Sequence, residues 1–236
     1  MAAEPKRGFF LTFEGLDGSG KTTQIKRLTA WLVEQELPHV VTRQPGGTVT
    51  GDRIRNLLLD SKSAHLAPRT ELAMMFADRA QAIHEVIDPA LASGQIVVCD
   101  RFTDSTEAYQ GGGRELGSKL VLELHRLICG DLQPDLTILL LPNLTASLKR
   151  ARKRNTREKV SNGADESRFE NEQNPFFERV YEKYLEIAAR EPVRVLVIDG
   201  DLSIDQVHRQ VINAVAARLS SSGPFDQWQA RHKTSV

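Results

Sequence analysis

The segment that most constrains this chain is Gly15-Leu16-Asp17-Gly18-Ser19-Gly20-Lys21-Thr22, which fits the spacing G-x-x-x-x-G-K-[ST]. That spacing also occurs in unrelated chains, so its setting decides what it means. Here it follows the apolar run Phe9–Phe13 and opens a helical pattern running from Thr22 to Leu37. A strand, a glycine-rich turn and a helix in that order form an anion cradle. Glycines let successive backbone N–H groups point inward at phosphate oxygens, and the helix N-terminus adds partial positive charge. Lys21 is then placed to neutralise the outer phosphates of a nucleoside triphosphate, and the Thr22 hydroxyl to ligate its Mg²⁺.

The rest of the chain repeats the same alternation. Val40–Thr42, Gln95–Cys99, Leu136–Leu141 and Val193–Ile198 read as further buried strands. Between them lie helical patterns, among them Ile25, Leu28, Leu32 and Val33 in the first helix. A second helix is read over Leu72–Ala92, with Met75, Phe76, Ile83 and Ile87 on its stripe. Strands alternating with helices predict an α/β fold: a doubly wound, parallel five-stranded sheet flanked by helices. In such a sheet ligands gather beyond the carboxyl ends of the strands. Asp100, ending the run Ile96–Cys99, is therefore a second candidate on the metal side, able to hold Mg²⁺ or its waters.

With 236 residues, the chain can bury a core of one generous domain. Its 31 basic and 31 acidic residues cancel, which argues against general nucleic-acid or membrane-surface binding. No stretch approaches the roughly 18 apolar residues of a membrane span, and the five-residue run after Lys6 and Arg7 is too short for a secretory signal. A soluble, cytoplasmic protein is the expectation, with Cys99 and Cys129 as reduced thiols. The region 155–174 stands apart, charged and nearly free of large apolar residues, and reads as a mobile excursion. The segment 220–236, opening Ser-Ser-Ser-Gly-Pro, reads as a C-terminal tail after a domain spanning 1–219.

Asp100-Arg101-Phe102 followed by Ser105-Thr106-Glu107-Ala108-Tyr109-Gln110-Gly111-Gly112-Gly113-Arg114 closely resembles the bacterial thymidylate kinases. So do Thr42–Thr48, Leu57–Asp60, Met75–Arg79 and Leu148–Arg152, all in order at the family's spacings from about Phe9 to Leu219. The resemblance implies a nucleoside-monophosphate-kinase fold with a LID at about 150–172, and commonly a homodimer. It implies transfer of the γ-phosphoryl group of ATP to dTMP, with ATP held by Gly15 to Thr22 and Mg²⁺ at Thr22 and Asp100. For dTMP it implies Asp17 at the 3′-hydroxyl, Arg43 and Arg101 on the phosphate, Phe76 stacked on thymine, and Arg79 bonded to the base. Ser105, Thr106 and Tyr109 would complete that pocket. Lys21, Asp100, Arg101 and a LID arginine, from Arg154, Arg157 and Arg168, would serve the transfer itself. Bacterial relatives whose phosphate loop lacks a basic residue rely on LID arginines, and Leu16, Asp17 and Ser19 are not basic. The basic run Lys149, Arg150, Arg152, Lys153, Arg154, Arg157 and Lys159 suits such a LID. Two departures bear on acceptor binding: Gln44 where many relatives have Glu, and Glu107 where some have Gln.

Two other readings stay open on sequence. One is a related kinase acting on a deoxynucleoside or another monophosphate. The other is a nucleotide-binding switch, which would ordinarily carry a guanine-reading N-K-x-D motif absent from this chain.

Overall fold

A computed structural model describes residues 7–60, 63, 66–130, 132–148, 150, 168–169 and 172–221. Five parallel strands form one sheet: β1 (Phe9–Glu14), β2 (His39–Arg43), β3 (Ile96–Asp100), β4 (Leu136–Leu140) and β5 (Val195–Ile198), in the order β2-β3-β1-β4-β5. All four pairings are parallel, as a sheet covered by helices on both faces requires. The helices are α1 (Lys21–Glu34), α2 (Val49–Leu59), α3 (Pro68–Ala82), α4 (Asp88–Ala92), α5 (Thr103–Thr106), α6 (Ser118–Cys129), α7 (Asn174–Arg190) and α8 (Ile204–Ser221). A short helical stretch also covers 144–148.

The expected doubly wound α/β architecture is the observed one. Alternation along β1 explains the two layers: Phe9, Leu11 and Phe13 pack with Ile25, Leu28 and Leu32 of α1 and Val207, Val211 and Val215 of α8. Phe10 points the other way, against Ile83, Ile87 and Leu91. Each fully buried side chain of this kind contributes about 1.5–3 kcal/mol. Val33, read as part of the α1 stripe, faces outward at 63% exposure, because one step beyond Leu32 turns it about 100° off the buried face.

The helix read over Leu72–Ala92 begins four residues earlier, at Pro68, whose missing N–H is harmless in a first turn. It is interrupted by a π-helical turn, Ile83–Ile87, before continuing as α4. A second π-helical segment, Glu107–Gly113, follows α5 directly. Extra residues inserted in this way are common near functional sites.

Register sets the site. Phe13 and Arg43 both pair with Asp100, so the carboxyl ends of β1, β2 and β3 lie in one row. The loops leaving these three strands carry the glycine-rich turn, the segment Gln44–Thr48 and Arg101-Phe102. Each of the three sequence motifs is thereby delivered to one edge of the sheet.

Candidate active site

The glycine-rich turn is built tightly onto β4. A Cβ on Gly15, whose φ is +129°, would lie 2.2 Å from the Leu140 carbonyl oxygen, which admits only glycine. Gly20, at φ 101°, turns the chain into α1. Lys21 curls back across the loop and donates to the carbonyls of Gly15 and Leu16, each at 3.0 Å. Burial, aided by the nearby Arg101 charge, lowers its pKa to about 8.

Two hollows meet at this edge. The first is lined by Gly18, Gly20, Lys21, Thr22, Arg43 and Asp100, and is the side of the phosphate loop. Asp100 offers it a buried Oδ1 with no hydrogen-bond partner. Arg43 is half-exposed and bonded to Asp52 at 3.2 Å. The second hollow is lined by Arg79, Ser105, Thr106 and Tyr109 together with apolar walls. Asp17, Gln44, Arg55 and Arg101 line both.

Arg101 stands on the shared wall. It donates to Asp17 at 2.9 Å, to Ser105 Oγ at 2.9 Å and to the hydroxyls of Tyr109 and Tyr184 at 3.3 Å. Burial works against its charge, but Asp17 and its other neighbours outweigh that and hold the guanidinium firmly protonated. Its backbone sits at φ 70°, a left-handed conformation costing a residue with a Cβ about 1–2 kcal/mol. Strain of that kind persists where the surroundings over-determine it.

Arg79 is buried beneath the second hollow. Nε donates to Gln44 at 2.8 Å, and Nη2 donates to the Phe102 carbonyl at 3.1 Å and to Thr106 Oγ1 at 2.8 Å. Nη1 is buried with no partner, as is the Gln44 Nε2. Because Arg79 can only donate, it fixes the Gln44 oxygen toward itself and the amide nitrogen away. This floor therefore presents unmet donors, which suits a ligand edge bearing carbonyl oxygens.

The sequence-derived residues divide as follows. Asp17, Arg79, Arg101, Ser105, Thr106 and Tyr109 come together in the second hollow, and Gly18, Gly20, Lys21, Thr22, Arg43 and Asp100 in the first. Leu16 is fully buried in the apolar cluster with Leu139 and Leu148, so it anchors the loop by packing. Ser19 is buried, with its hydroxyl unpartnered.

Phe76 does not join them. Fully buried, it packs against Leu72 and Val121, and the hollow is instead lined by Met75, one position earlier. Arg154 and Arg157 lie outside the described residues. Arg168 is buried in an ion pair with Glu71 at 2.7 Å and also donates to the Leu58 carbonyl. Glu71, itself fully buried, further accepts from Gln110 at 2.7 Å and Arg114 at 3.2 Å. Arg168 is thus held against the core beside Phe169, over whose ring its guanidinium lies at 4.3 Å.

The sequence reading also passed over Arg55, Gln110, Glu14 and Glu71. Arg55 donates to the Pro45 carbonyl at 3.0 Å and reaches both hollows. Its signal was weak: one cation on an amphipathic helix, among several. Glu14 carried a stronger one, a carboxylate ending an otherwise apolar strand. Burial and the neighbouring Asp104 raise its pKa to about 7.

A parallel sheet with this strand order, a lysine-bearing phosphate loop and two hollows divided by one ion pair define a P-loop phosphotransferase of the nucleoside-monophosphate-kinase fold. Comparison with known proteins narrows the class. The family model for thymidylate kinase matches residues 13–211. Among curated relatives, the thymidylate kinase of Desulfosudis oleivorans is 49% identical over 193 residues, 81% of this chain and 88% of its own length. That of Pelobacter propionicus is 44% identical over 208 residues, 88% of this chain and 94% of its own. The crystal structure of thymidylate kinase from Ehrlichia chaffeensis aligns with a TM-score of 0.70 at 33% identity, covering 89% of this chain and 99% of that one. The chain belongs to the thymidylate kinase family.

Proposed function

We infer that this protein transfers the γ-phosphoryl group of ATP to dTMP, giving dTDP and ADP. The observation that carries the reading is the pair of hollows meeting at Asp17 and Arg101. One lies over the phosphate loop and the other over unmet donors suited to a pyrimidine carbonyl. A phosphorylated acceptor in the second hollow would point its phosphate at the first.

The acceptor's phosphate has a second pKa near 6, so at neutral pH it is already largely a dianionic nucleophile. No general base is needed. What opposes reaction is repulsion between two polyanions, and catalysis lies in neutralising and aligning them. Lys21 is placed to follow charge on the outer phosphates, and Arg101 and Arg43 to grip the acceptor phosphate, where guanidinium forks match its oxygens. Asp17 would take the 3′-hydroxyl, and Tyr109 would crowd the 2′ position and favour deoxyribose. Arg79, Thr106 and Ser105 would complete the acceptor pocket, with Arg79 Nη1 directed to the base. Thr22 Oγ1 and the unpartnered Asp100 Oδ1 are hard oxygen donors on the phosphate side and fit Mg²⁺, directly or through its waters. Bound there with ATP, Mg²⁺ would supply positive charge to the phosphates.

For the LID arginine, Arg154 and Arg157 remain our candidates over Arg168, whose partner is Glu71. The kinase unit is taken as 1–219, with the LID near 150–172 and 220–236 as a tail. Among the described residues no helix is long and apolar enough to cross a membrane. We take the enzyme to be cytoplasmic. Leu122, Leu127 and Ile128 expose apolar surface on α6, which supports a homodimer.

The test is an ADP-release assay with ATP and Mg²⁺ in which dTMP, dUMP, dCMP and thymidine are offered in turn. Preference for dTMP is expected. Preference for thymidine, or ATP consumption indifferent to the acceptor, would overturn the reading.

A further inference from the structure

We propose that Glu14 is a positioning residue for the acceptor side of the reaction: through Ser105 and the Phe102 amide it fixes the turn and the guanidinium of Arg101. The proposal rests on the reading of Arg101 as the acceptor-phosphate residue. Its position makes it unexpected. Glu14 immediately precedes Gly15, the first glycine of the phosphate loop, where a role toward ATP would be the natural guess.

The geometry points elsewhere. Glu14 is fully buried at the end of β1, in register with Leu139. Its Oε1 accepts the Phe102 N–H at 2.7 Å. Its Oε2 accepts from Ser105 Oγ, and from the Tyr184 hydroxyl at 3.4 Å. The Ser105 hydroxyl donates its O–H to Glu14, which leaves its oxygen lone pairs to accept from Arg101 Nη1 at 2.9 Å. Tyr184, on α7, stands 2.9 Å from that Ser105 oxygen and 3.3 Å from the same Arg101 nitrogen. One carboxylate thus does two things. It secures the amide after a left-handed residue, whose own N–H is tied to the Phe13 carbonyl at 2.9 Å, and it orders the hydroxyl that aims the guanidinium.

An unpaired carboxylate is expensive to bury, and replacing these contacts with apolar packing would be ordinary for a strand end. Here the Phe102 N–H and the Ser105 and Tyr184 hydroxyls meet its oxygens. None of these hydrogen bonds reaches the phosphate loop's inward-facing amides, so the effect of Glu14 should fall mainly on the acceptor.

The experiment measures binding of dTMP, thymidine and ADP to the full chain and to Glu14→Gln. Glutamine keeps the shape but presents an N–H₂ to one of the donors it must satisfy. Wild type should bind dTMP more tightly than thymidine, which tests the reading of the acceptor site separately. In Glu14→Gln, dTMP affinity should fall about tenfold or more, the scale of losing a hydrogen bond to a charged group, with thymidine and ADP changed less than about threefold. Equal losses for dTMP and thymidine, or for dTMP and ADP, would mean that Glu14 only supports the fold, and an unchanged dTMP affinity would equally end the proposal. Should that variant fail to fold, Tyr184→Phe removes one hydroxyl from the same relay. It should lower the dTMP-to-thymidine affinity ratio about threefold, and an unchanged ratio would refute the relay.

Discussion

Replacing Phe76 separates a packing role from a binding role. Its ring is fully buried against Leu72 and Val121, with the Arg79 guanidinium 5.1 Å from its centroid. Phe76→Ala would leave a cavity costing about 3–5 kcal/mol. For a chain of this length each kcal/mol lowers Tm by roughly 2–4 °C, so a fall of roughly 6–20 °C follows. Phe76→Leu nearly conserves volume and should cost only about 1–1.5 kcal/mol. Arg79 remains held by Gln44, Phe102 and Thr106 in either variant, so the donors facing the base stay in place. Met75→Ala removes a side chain lining the hollow and should raise the dTMP dissociation constant by roughly 5–30-fold, the equivalent of about 1–2 kcal/mol of lost apolar contact. Thermal unfolding and dTMP titration on the three variants read both quantities. The reasoning fails if Phe76→Leu keeps its Tm within about two degrees yet loses dTMP affinity tenfold, while Met75→Ala binds normally.

Lys21→Ala should lower turnover at least a hundredfold while leaving Tm within a few degrees, as measured by steady-state assay and melting. Because burial holds the free lysine near 8, ATP should draw a fraction of a proton onto the protein at pH 8.5; calorimetry in buffers of different ionisation enthalpy would detect it, and a signal persisting in Lys21→Met would assign the proton elsewhere. Asp78 is raised from 3.8 to about 6 by burial, with its Oδ2 unpartnered. The unfolded chain therefore ionises first, and the buried charge costs nothing below about 3.8 and its full amount above 6. Asp78→Asn, whose oxygen can still accept the Gly46 N–H, should gain about 1–3 kcal/mol at pH 8 and little at pH 4, as read from melts at both values. A larger gain at the lower pH would contradict that sign.

The frame of the fold was legible because it rests on local patterns. Short branched runs bounded by glycine and aspartate read as strands. They are fully buried in β1 and β4 and partly exposed in the edge strands β2 and β5, where Val41 and Val197 are 46% and 44% exposed. The strand-turn-helix setting of Gly15–Thr22 gave the phosphate loop its place. Helical phase was harder. Met75 and Phe76 are both apolar and adjacent, and a difference of about 100° around one helix decides which meets the hollow. A π-helical turn such as Ile83–Ile87 leaves no compositional mark, so it was read as plain helix. Arg168 looked like a free LID cation because its partner, Glu71, is nearly a hundred positions away in sequence and fully buried. Glu14 was passed over for a related reason. Its meaning lies in Phe102, Ser105 and Tyr184, brought to it from the turn after β3, from α5 and from α7.

The ion pair between Asp17 and Arg101 forms a party wall between neighbouring chambers. An inhibitor seated in the pyrimidine chamber and bonded to Asp17 leans on a carboxylate that also holds Arg101 in place. Escape by changing that residue would release Arg101 and loosen the grip on the natural acceptor along with the grip on the drug, so resistance should arise on the apolar lining, around Leu59, Met75 and Phe169.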